Sequence, residues 1–247
     1  MSVLKIPFLL SATLGIHITM TPPNPPPSQA EQLSPRGIER LAPLWVPLIL
    51  KVGRLAHGLF QHAGFWGCGL AEIAVLLAAS LSSPASTTVL KFLDRTGRTT
   101  HLKITPIFLL GWALNICGTC IRLYCYRRLR TLFTFQLSIR ENHNLITTGL
   151  YSIIRHPSYT GGVLAGVGVT LCHLAPGSWL VECSGFVRPG ESWVYKVVPI
   201  WVVGLSLAFL GLGTRIRKED QMLRKRFGRE WEVWAERVPY KVFPGLF

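Results

Sequence analysis

Five consecutive residues, Arg155 to Tyr159, combine a cation, an imidazole, a proline and two hydroxyls. Pro157 disfavours helical backbone angles at His156 and suits the first turn of a helix. The pattern therefore predicts a helix that begins at Pro157, with these polar side chains at its N-terminus. Free backbone N–H groups at such an end bind anions, although a histidine in this position can also be a simple capping residue.

Arg215 and Glu219 form a second candidate group, because residues four apart share one face of a helix. This spacing fits an ordinary ion pair that stabilises a helix end. It also fits a pair that faces a binding site, where a guanidinium offers two parallel donors to a carboxylate. The sequence leaves both interpretations open.

The elements that must position these residues have the composition of membrane helices. Hydrophobic residues make up 49% of the 247-residue chain and charged residues only 15%, whereas soluble domains carry roughly 25% charged residues. The net charge of +14 is concentrated at the ends of apolar segments, as in the cytoplasmic flanks of membrane helices. A nucleic-acid-binding protein would spread that charge over a polar fold, so we expect a lipid bilayer as partner and no nucleic acid.

The predicted fold class is all-α: a polytopic membrane helix bundle of about four to five spans, with a cytosolic amphipathic C-terminal helix. The segments of spanning or near-spanning length are residues 1–20, Leu59–Leu81, Ile104–Tyr124, Tyr159–Leu174 and Trp193–Leu212. Within the second of them, Glu72 must lie near an interface or face the bundle. Ser82–Lys103 is predicted to be a polar loop, and Arg215–Arg237 one amphipathic helix.

The pattern divides the chain into three regions. Residues 1–40 form an N-terminal apolar segment and a Pro-rich linker, residues 41–130 the membrane-anchoring helices, and residues 131–247 the region of the candidate site, with a polar loop, a helical hairpin and the C-terminal helix. The prolines of TPPNPPPSQAEQLSPRG exclude a helix and favour a polyproline-like spacer over a ligand for a Pro-binding domain. Cys117-Gly-Thr-Cys120 has metal-ligand spacing, but no second pair lies nearby, so we predict helix packing and no metal site.

Three stretches together resemble the isoprenylcysteine carboxyl methyltransferase family. They are FTFQLSIRENHNLITTGLYSIIRHPSYTGG, then Arg215-x-Arg-Lys-Glu219-Asp220-x-x-Leu223, then Phe227-Gly228-x-x-Trp231 with Val238-Pro239. The resemblance implies a multi-pass enzyme of the endoplasmic reticulum membrane with its active site facing the cytosol. Such an enzyme uses S-adenosyl-L-methionine to methylate the C-terminal carboxylate of a farnesylated or geranylgeranylated cysteine in proteins. The chain departs from the family at Arg217-Lys218, where acids are usual, and at Tyr240 and Phe243.

The resemblance also implies roles for individual residues. The cofactor would contact Gln136, His143, Asn144, Leu145, Ile146, Tyr151, His156, Pro157, Ser158, Tyr159 and Glu219, and Arg215 would act on the substrate carboxylate. That carboxylate has a reference pKa of about 3.5 and needs no general base, so the enzyme must mainly align the reactants and exclude water. Two alternatives stay open: a related membrane methyltransferase acting on a lipid or other small acceptor, and a non-catalytic membrane protein of the same fold.

Overall fold

The computed structural model describes residues 3–27, 64–81, 83–135, 138, 144–186 and 212–245. Within these ranges the regular secondary structure is helical, which confirms the predicted all-α class for this part of the chain. In chain order the helices are α1 (Lys5–Met20), α2 (Gly64–Ser80), α3 (Pro84–Leu93), α4 (Pro106–Leu129), α5 (Pro157–Leu174), α6 (Trp179–Glu182), α7 (212–227) and α8 (Arg229–Arg237). Short 3₁₀ turns occupy Thr99–His101, Arg130–Leu132 and Gly149–Ser152.

Two of the described helical stretches, Pro106–Leu132 and Pro157–Glu182, are long and apolar enough to cross a membrane. Helices α1 and α2 are also apolar but shorter. The count of about four to five spans, the three-region division and the membrane-bound C-terminal helix stay predictions. The predicted span Trp193–Leu212 lies outside the described residues, apart from its last residue.

Proline and a capping hydroxyl mark where several helices begin. Thr105 caps α4 by accepting the N–H of Phe108 at 3.2 Å, with Pro106 as the first helical residue. Ser83 and Pro84 make the same start for α3, so the prediction of an unbroken polar loop over Ser82–Lys103 is wrong. Its polar composition hid a strong helix-start signal, a serine cap followed by proline. Helix α5 begins at Pro157, as predicted.

Helices α4 and α5 pack backbone against backbone through glycines. A Cβ atom added at Gly118 of α4 would lie 2.4 Å from the Ala165 nitrogen and 2.5 Å from the Gly161 oxygen of α5. At Gly168 it would lie 2.4 Å from the Asn115 nitrogen. Side chains larger than hydrogen do not fit at this interface, which is how small residues let apolar helices approach closely.

We predict that Gly118→Ala destabilises the protein, because the added methyl group meets main-chain atoms that cannot move aside. Overpacking of this kind costs about 1–3 kcal/mol. Gly166→Ala is the matched control on α5, since its Cβ would have no neighbour within 4 Å. Thermal unfolding in detergent should show a lowered midpoint for the first variant and an unchanged or raised one for the second; equal midpoints would contradict the close packing.

The buried carboxylate of Glu72 faces the interior of the bundle. Its Oε1 lies 2.5 Å from Lys5 Nζ, and its Oε2 accepts the N–H of Trp179 at 3.0 Å. Lys5 also donates to the carbonyl of Gly177 at 2.8 Å. Because both ions are buried and paired, this contact joins α1 and α2 to the turn that follows α5.

The two ends of the bundle carry different basic residues. At the end that holds the Lys5–Glu72 pair, the main-chain N–H of Lys103 donates to the Gly177 carbonyl at 3.2 Å. At the opposite end, Arg122 of α4 donates to the hydroxyl of Ser158 at 2.9 Å and to the carbonyl of Thr19 at 2.8 Å. The arginines near residues 122 and 155 therefore share one end, as their charge pattern predicts. That this end faces the cytosol stays a prediction.

The tail does not form one helix over Arg215–Arg237, and that prediction is wrong. Gly228 separates α7 from α8 with a φ of +54°, a backbone conformation that glycine adopts without a steric penalty. After this turn, α8 buries Trp231 and Trp234. The indole N–H of Trp234 donates to the carbonyl of Tyr151 at 2.9 Å, so α8 packs against the segment that precedes α5.

Candidate active site

A cavity of about 310 Å³ lies among the end of α4, the segment leading to α5, the start of α5, and α7. Nine of the residues predicted for the site line it: Asn144, Leu145, Ile146, Tyr151, His156, Ser158, Tyr159, Arg215 and Glu219. Pro157 is buried at the start of α5 and does not line the cavity. Gln136 and His143 lie outside the described residues.

The Tyr159 hydroxyl joins Arg215 to Glu219. Arg215 Nε donates to the tyrosine oxygen at 2.6 Å, and that hydroxyl donates to Glu219 Oε2 at 2.6 Å. The guanidinium carbon also lies 5.7 Å from the centre of the tyrosine ring, and another of its nitrogens donates to the carbonyl of Phe135. The spacing of Arg215 and Glu219 thus serves a shared contact with α5 and does more than stabilise the end of a helix.

His156 lies between two carboxylates of α7. Its Nε2 is 2.9 Å from Asp220 Oδ1, and its Nδ1 is 3.6 Å from Glu219 Oε1. Burial lowers the pKa of this imidazole, but hydrogen bonds and negative charge from Asp220 and Glu219 outweigh burial and raise the pKa to about 9. Burial alone would raise the pKa of Glu219; bonds from His156 and Tyr159 and the charge of Arg215 instead hold it below its usual range. Both groups are therefore ionised at neutral pH.

Asp220 is a site residue that the sequence interpretation did not assign. Besides His156, it accepts a charged hydrogen bond from Arg155 Nη1 at 3.1 Å, and it is buried. Adjacent positions on a helix point in different directions, so nothing in the sequence indicated that both acids of the Glu219-Asp220 pair reach the same histidine. The contact becomes visible only in the tertiary structure, where Arg155 and His156 at the start of α5 face both acids.

The segment after α8 fixes the backbone of this histidine. The N–H groups of Arg155 and His156 donate to the carbonyls of Tyr240 and Lys241 at 2.9 and 2.8 Å. The Thr160 hydroxyl donates to the Val242 carbonyl at 2.6 Å. Because these acceptors are main-chain atoms, the unusual side chain at position 240 does not disturb the contact.

Arg122 is a second residue that the sequence interpretation did not assign to the site. It lines the cavity and is buried. Its guanidinium carbon lies 5.3, 5.5 and 4.9 Å from the ring centres of Tyr126, Phe133 and Phe135. An arginine within an apolar helix is a functional candidate by default, and that rule would have identified it.

The charge of the described cavity lining is predominantly positive. Arg122, Arg155, Arg215 and protonated His156 line it together with one carboxylate, Glu219. Such a cavity suits a ligand with carboxylate groups, and Glu219 offers one position for a cationic group or for hydroxyls. Aromatic and aliphatic side chains form the rest of the described wall.

Comparison with known proteins identifies a family that part of this sequence matches. The sequence model of the isoprenylcysteine carboxyl methyltransferase (ICMT) family matches residues 110–186, which include α4 from Leu110 onward, the segment leading to α5, and α5. This match confirms the resemblance found in the sequence. Arg215 and Glu219 lie outside the matched residues.

Among similar proteins, protein-S-isoprenylcysteine O-methyltransferase B of Arabidopsis thaliana is 31% identical over 133 residues, covering 52% of this chain and 55% of that protein. A probable protein-S-isoprenylcysteine O-methyltransferase of Oryza sativa subsp. indica is 29% identical, covering 52% and 56%. A probable 7-dehydrocholesterol reductase of Acanthamoeba polyphaga mimivirus is 29% identical over 103 residues, covering 42% and 18%. The chain thus spans about half the length of the two plant relatives. No solved structure matches it.

We predict that His156 makes stability pH-dependent on the alkaline side. In the folded protein the pKa of His156 is raised from 6.5 to about 9. The protonated imidazole therefore stabilises the fold fully below pH 6.5, and this contribution is lost as the pH rises through 9. The thermal unfolding midpoint of the wild type should therefore decrease as the pH is raised from 6.5 to 9. His156→Asn, which does not titrate, should lose that part of the pH dependence; a parallel decline in both proteins would contradict the assignment.

Proposed function

We propose that this protein is a membrane-embedded methyltransferase that esterifies the C-terminal carboxylate of a prenylated cysteine, using S-adenosyl-L-methionine. The observation that carries the proposal is the cavity in which the Tyr159 hydroxyl joins Arg215 to Glu219. The family match and the two plant relatives support the choice of reaction. We place the protein in the endoplasmic reticulum membrane, with this cavity at the cytosolic edge.

The described residues fit the proposed cofactor. A cavity of about 310 Å³ is within the size range of small-molecule sites. Glu219 suits the ammonium group or the ribose hydroxyls, because its carboxylate is ionised and half-buried. His156 and the start of α5 suit the carboxylate of the amino-acid part. Asn144 to Ile146 and Tyr151 would complete the described wall of the pocket, and contacts from Gln136 and His143 stay an implication of the family resemblance.

When bound, S-adenosylmethionine would supply a methyl group activated by a positively charged sulfur, for transfer to a carboxylate oxygen with release of the neutral thioether. Arg215 would orient that carboxylate through the planar fork of its guanidinium, and Arg122 would add a second positive charge beside it. No proton is transferred, since the acceptor is already ionised. Because Arg122 is buried, a carboxylate held against it would be partly shielded from water.

The bundle explains why such an enzyme would be embedded in a membrane. A prenyl chain is insoluble in water, and the apolar α4 and α5 would place its attachment point beside the cavity. Several large hydrophobic side chains of α4 face outward, among them Ile107, Leu109 and Leu110. These exposed side chains suit contact with lipid.

We predict that Arg215→Lys lowers kcat/KM for a farnesylated cysteine analogue by about tenfold to a hundredfold, because lysine cannot form the two parallel bonds. The assay follows transfer of labelled methyl from S-adenosylmethionine in membranes that contain the full chain. Arg217→Lys is the matched control, since Arg217 lies on the same helix and is exposed. Unchanged turnover by Arg215→Lys would remove its role toward the carboxylate and favour a different acceptor.

A further inference from the structure

One side chain of the Pro-rich linker reaches the wall of the cavity. The amide nitrogen of Asn24 donates to the carbonyl of Arg130 at 2.7 Å and to that of Phe133 at 2.9 Å. These carbonyls bound the 3₁₀ turn Arg130–Leu132 at the end of α4, which the N–H of Phe133 closes by donating to Arg130 at 3.2 Å. A residue more than 100 positions earlier in the sequence thus holds both ends of this turn.

The turn needs such support because its first residue is strained. Arg130 has φ +49° and ψ −123°, and among the residues that the structure describes it is the one non-glycine residue with positive φ. A side chain at this position carries a steric penalty. Such a conformation persists where neighbouring groups hold it in place, and the Asn24 amide does so at the carbonyl of the strained residue.

The residues that follow this turn carry aromatic side chains that surround Arg122. Phe133 and Phe135 follow it directly and line the cavity. Their ring centres lie 5.5 and 4.9 Å from the guanidinium carbon of Arg122. The Phe135 carbonyl accepts a hydrogen bond from Arg215. A shift of the turn would therefore move the surroundings of both arginines.

The prolines around Asn24 make it a rigid support. It is half-buried and stands in the run Pro22-Pro23-Asn24-Pro25-Pro26-Pro27. Proline fixes φ near −65°, so the segment loses little conformational entropy when the asparagine binds the turn. Helix α1, which only Thr21 separates from this run, is anchored as well, because the Thr19 carbonyl near its end accepts hydrogen bonds from Arg122 and from the Tyr126 hydroxyl.

We infer that Asn24 is a positioning residue for the cavity, and that the described start of the linker, residues 21–27, is a structural part of the site and not only a spacer. It acts through the Arg130–Leu132 turn, which sets the positions of Phe133 and Phe135 and through them Arg122 and Arg215. The catalytic consequence depends on the proposed function. The tether itself does not, and it can be measured separately.

The test compares three variants of the full chain in detergent. Asn24→Asp keeps the shape of the side chain but cannot donate to the two carbonyls, and Asn24→Ala removes the polar group. Thr21→Ala is the control, because the Thr21 hydroxyl donates to the carbonyl of His17 within the end of α1. Hydrogen–deuterium exchange of residues 129–135 reports on the turn, and kcat and KM for a farnesylated cysteine analogue report on the site.

Both Asn24 variants should exchange residues 129–135 several-fold faster than the wild type. Their kcat/KM should fall by about tenfold or more, as expected for small displacements of positioning groups. Thr21→Ala should match the wild type in both measurements. If Asn24→Asp does not fold, Asn24→Ala decides.

Unchanged exchange in the variant that folds would overturn the tether. Faster exchange with unchanged kcat/KM would overturn the positioning role. If the wild type itself transfers no methyl group, the proposed function fails, and the exchange measurement alone decides whether Asn24 holds the turn.

Discussion

The shape of the cavity depends on hydrogen bonds and ion pairs between two adjacent carboxylates of α7 and the turn that begins α5. Glu219 and Asp220 contact His156, Tyr159 and Arg155, partners 60 to 65 residues earlier in the chain. Taking such charges out of water costs several kcal/mol per ion unless each one is paired. Here every acid has a cationic or hydroxyl partner, so the cluster closes a long-range contact and keeps one carboxylate at the edge of the cavity.

That cluster lies beside Arg122 only because α4 and α5 approach so closely. Gly118 and Gly161 bring the two backbones into contact, and one turn further along α4 the guanidinium of Arg122 reaches Ser158 at the start of α5. Bulkier residues at the glycine positions would hold the helices apart. The apolar packing of the bundle and the charge arrangement of the site are therefore parts of one constraint.

The start of α5 was predictable from local chemistry, because Pro157 marks it. Nine of the residues that the family resemblance assigned to the site line one cavity, and their roles stay predictions. The sequence could not reveal contacts that depend on tertiary packing. The position of Arg122 within an apolar helix makes it a candidate, but its contact with Ser158 depends on how α4 packs against α5. Glu219 and Asp220 reach the same histidine only because the turn that begins α5 brings His156 between their side chains. Gly228 ends α7 within a pattern whose apolar spacing continues, so periodicity alone predicted one helix.

The most direct measurement is calorimetric binding of S-adenosylmethionine to the wild type, Tyr159→Phe, Glu219→Gln and the double variant in detergent. A hydrogen bond to a charged group contributes about 1.5–3 kcal/mol, so each single change should weaken binding by roughly tenfold or more. Both changes remove the same hydroxyl–carboxylate contact. The double variant should therefore bind S-adenosylmethionine only slightly more weakly than whichever single variant has the lower affinity. Fully additive losses, or a folded wild type that does not bind the cofactor, would contradict the account.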